Sequence, residues 1–166
     1  MELVQRARGL RLAIFDVDGV LTDGTLYIGP QGEQLKAFNI LDGHGLRMLQ
    51  GAGVATAIIS GRSCEAVAWR ARELGITHVA QGVADKVAEF GRLRAAVGVE
   101  AQACAFMGDD LPDLAVMRLC GLAVSVPNAA EPVRGAAHYV TRAHGGRGAV
   151  REFCDMVLAA RGQLAV

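Results

Sequence analysis

The sequence predicts a Rossmann-like three-layer α/β domain with a parallel central sheet. Short apolar runs of strand length alternate along the chain with longer segments of helical pattern. This alternation is typical of right-handed βαβ units, which build a parallel sheet. Several of the runs are apolar almost throughout, as expected for strands that helices cover on both faces. The length of 166 residues fits one domain that spans residues 1–166.

Six apolar runs are the candidate strands. They cover residues 10–15, 54–59, 77–80, 103–107, 122–126 and 138–141. The first run ends on Asp16, the second on Ser60, and the fourth on Gly108-Asp109-Asp110. Polar residues therefore follow three of the predicted strands.

Five segments between and after these runs are the candidate helices. They cover residues 43–50, 63–74, 85–97, 111–119 and about 148–161. A glycine follows each of the first four, at Gly51, Gly75, Gly98 and Gly121. Glycine commonly ends helices because it adopts the left-handed conformation without a steric penalty.

One segment, residues 24–40, interrupts the alternation of strand and helix. Two partly alternating stretches flank Gly29-Pro30-Gln31-Gly32, which is a strong turn signal. We predict a β-hairpin inserted after the first strand.

Composition and charge argue against a nucleic-acid-binding protein. Apolar residues make up 52% of the chain and charged residues 20%, and Lys plus Arg equals Asp plus Glu at 17 each. A nucleic-acid-binding protein normally has a basic face. The sequence has no run rich in lysine or arginine, so we expect no nucleic-acid partner.

The cysteines and the N-terminus bear on the compartment. The four cysteines form no CxxC pair, which argues against a zinc site and fits a reducing compartment. The N-terminus lacks the apolar core of a signal peptide, and no run has transmembrane length. We therefore expect a cytoplasmic protein with no membrane partner.

The polar residues at the strand ends are the candidate functional site. In doubly wound sheets, ligands bind outside the carboxyl ends of the strands, where Asp16, Asp18, Ser60, Asp109 and Asp110 are expected to meet. One aspartate there could be a helix cap or a turn former. Four carboxylates brought together would repel one another unless a cation lies among them. Their oxygens favour a hard ion, so the sequence predicts a Mg²⁺ site.

These residue types suit phosphoryl transfer. A carboxylate can attack phosphorus and form an aspartyl-phosphate, and a carboxylate two residues later can protonate the leaving oxygen and then activate water. Ser60 can donate to a phosphoryl oxygen, while Gly61 lets backbone N–H groups approach it closely. Lys86, near the start of a predicted helix, can balance the phosphate charge. These groups favour a magnesium-dependent phosphatase.

Four segments resemble, in order, the motifs of the haloacid dehalogenase superfamily phosphatases. They are Asp16-Val-Asp18-Gly-Val-Leu-Thr-Asp-Gly24, Ser60-Gly-Arg62, Lys86 and Gly108-Asp109-Asp110-Leu-Pro-Asp113. The resemblance implies that Asp16 is the nucleophile and Asp18 the general acid/base. It implies that the carboxylates of Asp16 and Asp109, with the backbone carbonyl of Asp18, hold Mg²⁺. It also implies that Ser60 and Lys86 hold the phosphoryl group.

Two further aspartates of the fourth motif have open roles. Asp110 could be a metal ligand or could lie behind the ligands. Asp113 is expected to be structural, either orienting Lys86 or capping a helix.

The gaps between the motifs predict a site without a cap domain. Superfamily members usually carry such a cap, but these gaps hold only the hairpin, single helices and one strand. Phosphoryl transfer benefits from excluding bulk water, so either a large substrate fills the open mouth or another subunit closes the site. The hairpin favours the second alternative. Hairpin edges invite pairing with other chains, and Leu26, Ile28, Leu35 and Phe38 could face a partner, although the hairpin could instead pack on its own domain.

Nearly the whole chain resembles a capless subfamily that acts on sugar-acid phosphates. Besides the first motif and the hairpin, the resemblance is carried by Phe38-Asn-Ile-Leu-Asp42-Gly43-His-Gly45 and Gly145-Gly146-Arg-Gly148-Ala-Val-Arg-Glu152. It implies a homotetramer in which hairpins cluster and neighbouring subunits complete each site. It also implies that the substrate is an eight-carbon sugar-acid phosphate of lipopolysaccharide synthesis.

Several residues and functions keep alternatives. Arg62 could bind the phosphate or the carboxylate of such a substrate. Asp42 could contact sugar hydroxyls or cap the helix that follows it. The tail glycines, residues 145–148, could enter a neighbouring site or simply start the last helix. A nine-carbon sugar-acid phosphate, of the sialic-acid type, is an alternative substrate. A non-enzymatic receiver domain is a distant alternative, because the order of the motifs differs.

Overall fold

The computed structural model describes residues 2–164, without the side chain of Gln34. The strands are β1 (Leu12–Phe15), β2 (Tyr27–Gly29), β3 (Gly32–Leu35), β4 (Ala55–Ile59), β5 (His78–Ala80), β6 (Cys104–Met107), β7 (Leu122–Ser125) and β8 (Tyr139–Val140). The α-helices are α1 (Leu3–Arg8), α2 (Ile40–Gly51), α3 (Glu65–Glu73), α4 (Lys86–Val97), α5 (Leu114–Leu119), α6 (Glu131–Ala136) and α7 (Ala149–Ala160).

Six strands form one parallel sheet in the order β5-β4-β1-β6-β7-β8. The predicted Rossmann-like fold is therefore confirmed. In the sheet register, Leu12 of β1 pairs with Ala55 on one side and Cys104 on the other. Every residue of β1, β6 and β7 is buried. The residues that follow β1, β4 and β6 consequently emerge side by side at one edge of the sheet.

Two short helices, α1 and α6, were not predicted from the sequence. Each has six residues, too few for a periodic apolar pattern to stand out. The predicted helix at residues 111–119 is divided: Leu111–Asp113 form a 3₁₀ turn and only Leu114–Leu119 are α-helical. Among residues 2–164, no helix combines the length and the apolar character needed to cross a membrane.

Helices α2 and α7 pack together beside β1 and close one side of the core. The rings of Phe15 and Phe153 meet edge to face, with centroids 5.8 Å apart, and both side chains are fully buried. Such a contact adds a specific geometry to the burial of two large apolar groups. It fixes β1, and with it Asp16, against the last helix.

The predicted hairpin is confirmed as a separate antiparallel pair of β2 and β3. Leu26, Ile28 and Leu35 are exposed. Phe38 is partly buried and packs against the core of its own domain, which is the other arrangement considered for the hairpin. Residues 2–164 contain no inserted cap domain beyond this hairpin.

Candidate active site

A cleft of about 420 Å³ lies at the carboxyl ends of β4, β1 and β6. Its lining contains residues from all four motifs. They are Asp16, Asp18, Gly24, Ser60, Gly61, Arg62, Val83, Ala84, Lys86, Asp109, Asp110, Pro112 and Asp113. Every predicted site residue except Asp42 therefore lines the cleft.

A turn over Val17–Leu21, in which Asp18 and Gly19 leave the helical conformation, follows Asp16 and brings Asp18 back to the cleft. The turn is closed by the N–H of Thr22, which donates to the carbonyl of Val17 over 3.0 Å. Gly19 has φ +88°, and a β-carbon there would lie 2.0 Å from Oδ2 of Asp109. Only glycine allows both this conformation and this close approach. The first motif thus packs directly against the aspartate of the fourth.

Lys86 links the first and fourth motifs by two buried ion pairs. Its Nζ lies 3.0 Å from Oδ1 of Asp16 and 2.7 Å from Oδ1 of Asp113. Burial by itself would lower the pKa of Lys86, but these two carboxylates hold it above its ordinary value. Burial first, and then the charge of Asp113, raise the pKa of Asp16 to about 6. The lysine therefore stays cationic beside the candidate nucleophile.

The acidic cluster fits a divalent cation. Oδ1 of Asp109 is buried and has no hydrogen-bond partner among the described residues. Burial, followed by the charges of Asp16 and Asp113, raises the pKa of Asp109 to about 8. One carboxylate oxygen from each of these three residues lies within 4.8 Å of the others. A hard cation would satisfy the unpaired oxygen and cancel the repulsion.

Asp113 is better placed to position Lys86 and the Asp109 loop than to bind a metal ion. Its Oδ1 accepts from Lys86, and its Oδ2 accepts from the backbone N–H groups of Asp109 and Asp110, over 3.0 and 3.2 Å. Asp110 is exposed and accepts from the N–H of Leu111 over 2.8 Å, as a helix cap does. The geometry therefore favours Asp16 and Asp109 as the carboxylate ligands.

The second motif forms the opposite wall of the cleft. Ser60 is buried at the end of β4, and its Oγ accepts the N–H of Arg62 over 3.3 Å. The guanidinium of Arg62 is half exposed and lies 3.7 Å from Oδ2 of Asp18 and 3.1 Å from Oε2 of Glu33. The Ser60 hydroxyl and the Arg62 guanidinium can therefore both donate to an anion.

Comparison with known proteins assigns this arrangement to a family. The haloacid dehalogenase-like hydrolase family matches residues 74–153. The 3-deoxy-D-manno-octulosonate 8-phosphate phosphatase KdsC of Yersinia pestis is 48% identical, covering 98% of this chain and 87% of the relative. The chain belongs to the 3-deoxy-D-manno-octulosonate 8-phosphate phosphatase family. The enzyme of the same name from Escherichia coli strain K12 is 45% identical with the same coverage.

Solved structures agree with this assignment. The crystal structure of the Yersinia pestis phosphatase has a TM-score of 0.95 at 48% identity, covering 98% of this chain and 88% of the other. The Moraxella catarrhalis phosphatase, solved with magnesium ion, phosphate ion and a KDO molecule, has a TM-score of 0.93 at 44% identity, with coverages of 96% and 91%. The predicted family, fold class and Mg²⁺ cofactor are confirmed, and the receiver-domain alternative is wrong.

Asp42 does not take the role in this family site that the sequence suggested. It is 1% exposed, and its carboxylate accepts the N–H groups of Gly148 and Arg151 over 3.4 and 2.8 Å. It therefore caps α7, whereas Asn39 caps its own helix α2. This buried side chain does not line the cleft, so the structure favours a capping role for Asp42 over the contact with sugar hydroxyls.

The tail glycines pack against the first motif of this phosphatase fold. A β-carbon on Gly145 would lie 1.8 Å from the carbonyl oxygen of Gly19, and the N–H of Gly146 donates to Val20 over 2.9 Å. Asn128 joins the two segments: its Nδ2 donates to the Gly19 carbonyl and its Oδ1 accepts the Gly145 N–H. No motif or spacing in the sequence indicates this role for Asn128.

Sequence reasoning also missed Lys36 and Glu33, which follow the hairpin turn. Lys36 pairs with both Asp18 and Glu33. The sequence contains one signal for Lys36: it and Lys86 are the only lysines among the 17 basic residues. A chain that otherwise uses arginine throughout has its two lysines beside Asp18 and Asp16.

Proposed function

We propose that this protein hydrolyses 3-deoxy-D-manno-octulosonate 8-phosphate to 3-deoxy-D-manno-octulosonate and phosphate, with Mg²⁺, in lipopolysaccharide biosynthesis. The observation that carries the proposal is Asp16, held by Lys86 beside the unpartnered oxygen of Asp109. The family membership supplies the substrate. The open cleft, lined by Ser60, Arg62 and Lys86, offers donors for the two anionic groups of such a substrate.

In the first step, an oxygen of Asp16 attacks phosphorus and the bond to the sugar oxygen breaks, leaving an aspartyl-phosphate. Asp18 gives its proton to the departing sugar oxygen. The ammonium of Lys86 and the hydroxyl of Ser60 hold the phosphoryl oxygens as charge shifts onto them. Asp16 is already fixed by Lys86 over 3.0 Å, so little reorganisation precedes the attack.

In the second step, water attacks the phosphorus of the aspartyl-phosphate. Asp18, now a carboxylate, takes a proton from this water. The bond between phosphorus and the Asp16 oxygen then breaks and phosphate leaves. The same residue thus serves as acid and then as base.

The carboxylates of Asp16 and Asp109, with the backbone carbonyl of Asp18, would hold Mg²⁺. When bound, the ion screens the repulsion between the nucleophile and the phosphate and polarises a phosphoryl oxygen. Asp113 keeps Lys86 and the Asp109 loop in place.

A homotetramer would complete this open site. The exposed apolar side chains of Leu26, Ile28 and Leu35 on the hairpin suit burial between subunits. Light scattering tests this proposal. A stable monomer with full activity would refute the requirement for neighbouring subunits.

The function is tested by phosphate release from a panel of sugar-acid phosphates with Mg²⁺ present. We expect a clear preference for the eight-carbon substrate. A preference for a nine-carbon sugar-acid phosphate would instead favour the sialic-acid-type alternative without changing the mechanism.

Two variants test the assigned roles. Asp16→Asn should abolish turnover and leave the fold intact, and near-normal activity would rule out Asp16 as the nucleophile. Asp18→Asn should slow both steps. An unchanged rate with a poor leaving group would remove Asp18 from the acid/base role.

A further inference from the structure

The side chain of Lys36 is enclosed although the residue lies directly after an exposed hairpin. Its side chain is 1% exposed, and its Nζ lies 2.5 Å from Oδ1 of Asp18 and 2.7 Å from Oε1 of Glu33. Removing an ammonium group from water is costly unless opposite charges meet it. The two carboxylates meet that need, and one of them belongs to the candidate acid/base.

Lys36 approaches Asp18 from outside the reaction cleft. Asp18 lines the cleft, whereas Lys36 lines a neighbouring groove together with Phe38 and Trp69. Its side chain is 1% exposed and does not line the reaction cleft, and its ammonium meets Asp18 and Glu33. Any effect of Lys36 on the reaction is therefore exerted through Asp18.

The two oxygens of Asp18 face different cations. Oδ1 is held by the enclosed side chain of Lys36, while Oδ2 lies 3.7 Å from Nε of the half-exposed Arg62. Glu33 joins both cations, at 2.7 Å from Lys36 and 3.1 Å from Arg62. The contact with the enclosed ammonium of Lys36 restrains the Asp18 side chain more tightly than the longer contact with the half-exposed guanidinium of Arg62. Arg62 can then move to an anion while Lys36 keeps Asp18 in place.

We propose that Lys36 is a positioning residue that holds the carboxyl group of Asp18 at the leaving oxygen, and that Glu33 holds Lys36. The inference rests on the proposed function. As the bond from Asp16 to phosphorus forms and the ester bond breaks, the proton of Asp18 passes to the ester oxygen. The negative charge left on Asp18 lies against the Lys36 ammonium. In the second step Asp18 regains a proton from the attacking water.

The test is the dependence of rate on the leaving group in Lys36→Met. For the sugar-acid phosphate and for phenyl phosphate, whose leaving groups need protonation, we expect kcat to fall on the order of 10²-fold because the acid is misplaced. For p-nitrophenyl phosphate, whose leaving group needs little protonation, the loss should be far smaller. Asp18→Asn should show the same pattern, and the double variant should lose little more than Asp18→Asn alone.

Glu33→Gln is a second variant that leaves the ammonium in place, and it should give the same pattern with a smaller loss. Arg92→Met is a matched control, since it removes an exposed cation from its partner Glu89 on α4, and it should leave the pattern unchanged. Circular dichroism and light scattering should show that every variant has kept its fold and assembly.

An equal loss of kcat for all leaving groups in both Lys36→Met and Glu33→Gln would overturn the inference. Lys36 would then have only a structural role. A wild-type enzyme that hydrolyses aryl phosphates but not the sugar-acid phosphate would defeat the proposed substrate, while the aryl series would still decide the role of Lys36.

Discussion

The ammonium of Lys86 lies nearer to Asp113 than to Asp16, at 2.7 Å against 3.0 Å. Asp113 is 1% exposed, and its second oxygen accepts the backbone N–H groups of Asp109 and Asp110. Lys86 therefore retains an anionic partner when the charge on Asp16 is used in bonding to phosphorus. One buried carboxylate positions both the lysine and the loop that carries Asp109.

Replacing Asp113 with Asn should impair both activity and stability. The change keeps the shape of the side chain but removes the charge that faces Lys86. We expect kcat to fall by about 10²-fold through misplacement of Lys86 and Asp109, and the free energy of unfolding to fall by about 3 kcal/mol. Steady-state kinetics and urea unfolding measure the two effects. Asp155→Asn is the control, because it removes a partly exposed i,i+4 partner of Arg151 and should cost about 0.5 kcal/mol.

Magnesium should stabilise the fold through Asp109. Without a cation, burial and the charge of Asp16 oppose ionisation of Asp109, whose Oδ1 has no hydrogen-bond partner among residues 2–164. Addition of Mg²⁺ should therefore raise the melting temperature of the wild type, since the ion binds only the folded site. Asp109→Asn should lose most of this rise, as calorimetry with and without a chelator would show. A full magnesium response in Asp109→Asn would contradict the assigned ligand.

Gly145→Ala should distort the first motif, because residue 145 packs against the turn that carries Asp18. A β-carbon at residue 145 would lie 1.8 Å from the carbonyl oxygen of Gly19, so the turn that carries Asp18 must shift. We expect a loss of both kcat and melting temperature. Gly91→Ala is the matched control. Residue 91 lies inside α4, where a β-carbon would meet nothing within 4 Å beyond its chain neighbours and the backbone of its own helix, so the change should stabilise the helix by up to about 1 kcal/mol. Normal kinetics in Gly145→Ala would show that the tail does not support the site.

Glu152 should make stability depend on acidic pH. Burial opposes ionisation, but hydrogen bonds from Tyr139 and from the N–H groups of Arg142 and Ala143 hold the pKa of Glu152 below its ordinary value. Because the folded pKa is the lower one, this stabilisation is complete above the unfolded pKa and is lost as pH falls through the folded pKa. Urea unfolding of wild type and Glu152→Gln should differ at neutral pH and converge in acid. A pH-independent difference would exclude this linkage.

Much of the fold could be predicted because it is encoded locally. The six sheet strands were found with small errors at their ends, and the hairpin was placed by its Gly29-Pro30-Gln31-Gly32 turn. Helix α6 was missed because six residues hold too little periodicity. Residues at strand ends must converge in a parallel sheet, which is why Asp16, Ser60 and Asp109 can be grouped from the sequence alone.

The sequence by itself determined the order of strands and helices, the edge of the sheet that carries the chemistry, and the identity of its aspartates. Only the tertiary structure decided the partners that hold them. Asp42 meets Arg151 across 109 positions of sequence, and Asn128 meets Gly19 across the same separation. Lys36 turns inward to Asp18 from an exposed hairpin. These contacts depend on how separate elements pack and on which way each side chain points, and neither follows from the local spacing of residues.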